Sequence, residues 1–190
     1  MTETQEPTRR DQILATAAEL FAARGFHGVS VADLGAACGI SGPALYKHFP
    51  SKPAMLAEML VSISEELFAV GRARVAEAGG PAAAVRALVD WHVEFALGHR
   101  PLIIVQDRDW ESLPEQARDQ VRRLQRQYVD LLVAQLLAQR ADLPRAAAHA
   151  AAQAAFGLLN STPRAGHAIA DEALRTLLAD MAVAALGAVS

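Results

Sequence analysis

Apolar residues recur at helical spacing along almost all of the 190-residue chain, and the polar breaks between them divide it into helices. Ile13, Leu14, Ala17, Leu20 and Phe21 mark a first helix over 9–24, opened by a Thr8–Asp11 capping box and closed by Gly25. Phe26 and Val29 in the connector turn inward. Ser30, with Asp33 three residues on, caps a short second helix that buries Leu34 and Ala37. It stops at Gly39, where a left-handed residue is required. Ile40 faces inward, and Ser41 caps a third helix with Gly42 and Pro43 in its first turn. Leu45 and Phe49, four residues apart, share that helix's buried face. From Ser51 a fourth helix carries Met55, Leu56, Met59, Leu60, Ile63, Leu67 and Val70 to about Ala78, a length of about 40 Å.

Gly79-Gly80-Pro81 breaks that helix, and the spacing predicts further helices over 82–97, 101–111, 114–140, 144–160 and 169–186. The apolar run Leu102–Val105 has no second strand to pair with and reads as helix. Residues 1–7 read as a frayed tail, and 161–167, with Pro163 and Gly166, as a loop. Nine helices and no strand make the fold all-α. A three-helix head over 1–51 precedes a helical body over 52–190.

Within the head, Ser30–Lys52 places two short helices either side of a glycine turn, the helix-turn-helix pattern whose second helix enters the DNA major groove. With Leu45 and Phe49 inward, Ala44, Tyr46, Lys47 and His48 point elsewhere. Tyr46 and His48 are donors on an exposed face, and Lys47 and Lys52 are point charges suited to phosphates. Ser30, Val31 and Ala32 open the second helix, whose positive dipole end suits a phosphate. Arg9 and Arg10 read equally well as an arm along the DNA or as a solvated pair.

Composition and charge sharpen this picture. Hydrophobic residues make up 52% and charged residues 21%, so the chain is globular. It has no apolar run of about 18 residues, and its polar start lacks the apolar core of a signal peptide. The single cysteine, Cys38, excludes an intramolecular disulfide framework, reads as a packing residue and fits a reducing cytoplasm. A net charge of −3 argues against general nucleic-acid coating. Residues 8–52, however, hold five Lys/Arg against three acids, a mildly basic head on an acidic body.

The stretches T-R-R-D-Q-I-L-A-T-A-A-E-L-F-A-A-R-G-F and G-I-S-G-P-A-L-Y-K-H-F-P-S-K resemble the TetR family of bacterial transcriptional regulators, over residues 8 to about 60. The remainder is similar only in helix count and order. The resemblance implies a two-fold dimer, usually a repressor, that binds a palindromic double-stranded DNA operator and is released by a small molecule held in the body. It also implies that Ser41, Gly42, Pro43 and Ala44 face base edges, and that Tyr46, Lys47, His48 and Lys52 face phosphates. Gly42 and Ala44 offer no bidentate hydrogen bonds, so base specificity leans on backbone approach, Tyr46 and DNA shape.

The body carries no catalytic signature. His92, His99, His149 and His167 lack the i, i+4 spacing of a zinc site, and there is no glycine-rich phosphate loop and no G-x-S-x-G. No enzyme, metal or cofactor is expected. Instead Trp91, His92, Phe95, Gln106, Trp110, Tyr128, Gln135, Phe156 and Asn160 interrupt apolar helix faces, as a mostly apolar ligand cavity with a few polar anchors requires. His92 and Asn160 are the strongest candidates, and small neighbouring residues suggest room for an extended, hydrophobic ligand. The family resemblance implies a lipophilic or acyl-CoA-like effector, by analogy with members of this size. The last two long helices are apolar on more than one face, which suits a four-helix homodimer interface. The competing reading is a helical ligand-binding or scaffold protein whose head no longer reads DNA.

Overall fold

The computed structural model describes residues 8–165 and 169–189, so the expected tail at 1–7, Gly166 and His167 lie outside the described residues. Among the described residues there are ten α-helices and no strand. In the head these are α1 (Arg9–Arg24), α2 (Val31–Cys38) and α3 (Gly42–His48). The body holds α4 (Lys52–Glu77), α5 (Pro81–Gly98), α6 (Arg100–Asp109), α7 (Glu115–Gln139), α8 (Arg145–Leu159), α9 (Thr162–Ala165) and α10 (Asp171–Gly187). A single 3-10 turn, Trp110–Ser112, joins α6 to α7.

The helix ends follow their local chemistry. Thr8 and Asp11 form the capping box of α1, and Ser30 and Asp33 that of α2. In each, the hydroxyl accepts the third-residue amide and the carboxylate accepts the cap amide, at 3.2 and 2.9 Å in α1 and 3.1 and 2.8 Å in α2. Ser41 and Ser51 cap α3 and α4 through the amides of Ala44 and Ala54. Gly39 ends α2 at φ 65°, ψ 32°, the left-handed conformation expected of it. Two local expectations are corrected. Ala37 is exposed, and the buried residues of α2 are Leu34 and Gly35. The expected loop after α8 contains the one-turn helix α9, pinned by the Thr162 hydroxyl donating to the Ala96 carbonyl at 3.1 Å.

Two apolar cores hold these helices together. One joins Ile13, Phe21, Phe26, Leu34, Leu45 and Phe49 of the head to Met55, Leu56, Met59 and Leu60 of α4, and to Val105 and Val121 of the body. Packing therefore runs straight across residue 52. A three-helix head alone buries too little apolar surface to be secure, and the start of α4 with the facing sides of α6 and α7 completes its core. The second core is built from α5, α7, α8 and α10 around Leu88, Val89, Leu132, Leu136 and Leu159. Between α4 and α7, Gly71 is buried against the Tyr128 ring, and a Cβ there would sit 2.5 Å from Tyr128 Cε2. Glycine at 71 lets these two long helices approach closely.

Candidate nucleic-acid interface and ligand cavity

The third helix is anchored by Leu45 and Phe49, exposed by only 3% and 2%. That anchoring turns Pro43, Tyr46 and Lys47 outward, with Tyr46 50% exposed, and leaves Gly42, Ala44 and His48 half-buried. An exposed tyrosine beside an exposed lysine on a short, core-locked helix can meet a phosphate backbone without rearrangement. Ser41 is exposed at the start of the same helix, its hydroxyl oxygen accepting the Ala44 amide. At the start of α2, Ser30 is exposed and Val31 half-buried. The Asp33 carboxylate already occupies that helix end, held below the usual carboxylate range chiefly by hydrogen bonds from Ser30. A phosphate approaching there meets both the helix dipole and this negative charge.

Three basic side chains are placed differently from expectation. Lys52 points into the head: its ammonium donates to the carbonyls of Phe26 and Val29 at 2.6 and 2.7 Å and lies 4.3 Å from the Phe26 ring centroid. Arg9 and Arg10 are neither a free arm nor a solvated pair. Arg9 donates to the Cys38 carbonyl at the end of α2. Arg10 donates to the His48 carbonyl at the end of α3, pairs with Glu58 of α4 and lies over the Phe49 ring at 4.2 Å. Cations at helix C-termini satisfy carbonyls left without an intrahelical partner. These three residues brace the head, and Lys47 is left as the outward cation of α3.

In the body, α4 to α8 enclose a cavity of about 590 Å³. His92, Phe95, Gln106, Tyr128, Phe156 and Asn160 line it. Trp91 and Trp110 do not. Trp91 is wedged between α5 and α4, its indole N–H donating to the Leu67 carbonyl at 3.1 Å. Trp110 packs at the edge of the head core with the Arg122 guanidinium 5.3 Å from its ring. Gln135 also lies away from the cavity wall. Helical periodicity says which face of a helix is apolar but not which neighbour that face meets. Both tryptophans sit on inward faces that meet packing, not space.

The inner end of the cavity is a cluster of uncharged rings. The His92 imidazole lies against both Phe156 (centroids 4.6 Å apart, planes at 24°) and Tyr128 (5.6 Å, 29°), whose own rings are 4.9 Å apart, so the three form a triangle. Burial pushes the His92 pKa down to about 4, against a hydrogen bond to Asn160 that favours the charged form. The ring is therefore neutral at pH 7, and its Nε2, 3.0 Å from Asn160 Oδ1, is the nitrogen suited to carry the proton. Burial likewise pushes the Tyr128 phenol up. His92 Nδ1 and the Tyr128 hydroxyl have no hydrogen-bond partner among the described residues.

The wall nearest solvent carries residues that periodicity alone passed over: Arg122, Gln125 and Arg126 from α7, His149 and Gln153 from α8, and Asp107 from α6. On α7 the arginines read as an ordinary solvated face. The signal that distinguishes them is their i, i+4 spacing in step with Val129, which lines the same cavity. Among the described residues, no three His, Cys, Asp or Glu cluster to hold a metal ion, and no helix is long and apolar enough to cross a membrane.

Comparisons with known proteins agree with this arrangement. Residues 13–59 match the sequence profile described as bacterial regulatory proteins, tetR family, and residues 78–164 match the tetracyclin repressor-like C-terminal domain. The HTH-type transcriptional repressor KstR2 of Rhodococcus jostii is 38% identical over 100 residues, 52% of this chain and 49% of that protein, so the match spans about half of that relative's length. A TetR-family transcriptional regulator from Bordetella parapertussis superposes with a TM-score of 0.81 at 28% identity, covering 91% of this chain and 93% of its own. At 16% identity, where only the fold is informative, FadR of Bacillus subtilis in complex with stearoyl-CoA superposes with a TM-score of 0.71 over 92% of this chain and 97% of its own. With the head, the long α4 and the helical body all matched in order, the chain belongs to the TetR family of bacterial transcriptional regulators.

Proposed function

We propose that this chain is a repressor that binds a palindromic operator as a two-fold homodimer and is released when a small hydrophobic effector enters the body cavity. The observation that carries this reading is the pairing of an outward Tyr46–Lys47 face on α3 with a cavity of about 590 Å³ whose walls include α4 and α6, the helices that pack against the head. Its size and mostly apolar inner lining suit a lipophilic molecule, and the acyl-CoA bound by FadR shows that a similar fold has room for one. Phosphate contacts come from Tyr46, Lys47 and His48, backbone approach from Ser41, Gly42, Pro43 and Ala44, with Ser30 and Val31 at the neighbouring helix end. Lys52 supports that surface from behind.

The dimer follows from apolar area left in water. Ile169, Leu177 and Met181, in and before α10, are 42%, 49% and 46% exposed, and Ala150 and Ala154 of the adjoining α8 are exposed as well. Pairing α8 and α10 with their copies buries this face and sets two heads about 34–36 Å apart, one DNA turn. Such a protein acts in the cytoplasm, where its operator lies, and no catalysis enters the reading. The test is the salt dependence of operator binding: Lys47→Ala is expected to weaken binding and to reduce the slope of log K against log salt by about one. An unchanged slope contradicts the phosphate role of α3.

A further inference from the structure

The cavity wall is chemically graded. Its buried end is lined by Ile63, Phe95, Tyr128 and Phe156, and its solvent end by two arginines of α7. Arg122 and Arg126 are four residues apart, so they share one helix face and repel each other by a few tenths of a kcal/mol in the empty protein. Local compensation is thin. Arg122 is 49% exposed and reaches Asp119 only at 3.5 Å, an exposed pair of little worth. Among the described residues Arg126 has no hydrogen-bond or ion-pair partner. The one acid in the wall, Asp107, already faces Arg164 at 3.7 Å. The remaining polar groups at this end, Gln125, His149 and Gln153, supply no negative charge. Two under-compensated guanidinium forks over the opening of an apolar cavity make a place for an anion attached to a hydrophobic body.

We infer that the effector is an anionic amphiphile, its apolar part against Phe95 and Phe156 and its phosphate or carboxylate headgroup held by Arg122 and Arg126. This rests on the reading of the cavity as the effector site and adds the chemical class of its ligand. Arg126 is the principal anchor because nothing else in the described structure engages it. Arg122 is shared with Asp119 and the Trp110 ring, and is the secondary one.

The test is calorimetric titration of the purified full-length protein, without DNA, with three probes of equal chain length: decanoyl-CoA, decanoate and decanol. At low salt at least one anionic probe is expected to bind more tightly than decanol. Arg126→Ala should weaken that probe about tenfold, the loss of one charge-assisted contact, and leave decanol unchanged. Arg122→Ala should weaken it less, and Arg126→Lys should fall between wild type and Arg126→Ala. Added salt should weaken the anionic probe alone. Comparing decanoyl-CoA with decanoate distinguishes a phosphate-bearing source of the charge from a carboxylate. Decanol binding as tightly as both anions, arginine variants that leave anion affinity unchanged, or failure of all three probes to bind overturns the inference. Because DNA is absent, a protein that binds an anionic probe through these arginines yet never leaves its operator upholds this inference and contradicts only the switch. The substituted side chains are exposed, and matching thermal midpoints confirm that the variants fold.

Discussion

The guanidinium of Arg108, one residue before the end of α6, donates to the Ala22 carbonyl in the last turn of α1 at 3.0 Å. It also bonds the Phe21 carbonyl and pairs with Asp109, itself only 7% exposed, at 3.1 Å. Nearby, Ser112 and His27 make a second polar link across the same seam at 3.0 Å. Leu102, Ile103 and Gln106 of α6 line the cavity, so one helix borders the cavity on one side and holds the head on the other. In the proposed switch, a shift of α6 on effector entry is expected to reach α1 directly through these contacts. Arg108→Ala leaves two carbonyls and a buried carboxylate without this partner. It is expected to cost about 1–3 kcal/mol, read as a lower urea midpoint at unchanged m-value. An unaltered midpoint contradicts the bracing role.

His92 makes stability depend on pH in a defined window. Its folded pKa is lowered from 6.5 to about 4 by burial, so between these values the unfolded chain binds a proton that the folded chain does not. Its contribution is fully present above about pH 6.5 and is lost as pH falls towards 4, by an amount on the order of 3 kcal/mol. Unfolding free energies measured across this range should fall on acidification, and His92→Gln should flatten that part of the curve. A His92→Gln profile parallel to wild type would show that the imidazole is not buried neutral.

Lys52 and Lys47 separate structure from DNA contact. Removing the Lys52 ammonium leaves the Phe26 and Val29 carbonyls unpaired, so Lys52→Met is expected to lower unfolding stability by about 1–3 kcal/mol and to leave the salt slope of operator binding nearly unchanged. Lys47→Ala should do the reverse. If Lys52→Met instead removes a full unit of salt slope at unchanged stability, its ammonium leaves the head to meet the phosphate.

What could be read from the chain alone divides by distance along it. The capping boxes at Thr8–Asp11 and Ser30–Asp33, the left-handed Gly39 and the buried pair Leu45–Phe49 all depend on residues within a turn of each other, and each was legible. The bracing roles of Arg9, Arg10 and Lys52 were not, because their partners lie at Cys38, His48, Glu58, Phe26 and Val29, far along the chain. His92 and Asn160 could be singled out as polar breaks in apolar faces, and they do meet. Trp91 and Trp110 made the same kind of break, yet packing against α4 and under Arg122 claims them. The arginines of the cavity rim were hidden because a solvated helix face and a ligand-binding rim have the same composition until five helices close round them.

The most direct test of the central claim is selection from random DNA duplexes by the purified protein without effector. An inverted repeat whose half-sites are centred about 10–10.5 base pairs apart, or a multiple of it, is expected to be enriched, as two heads on a two-fold axis require. Recovery of no preferred sequence, or of a motif without two-fold symmetry, would contradict it.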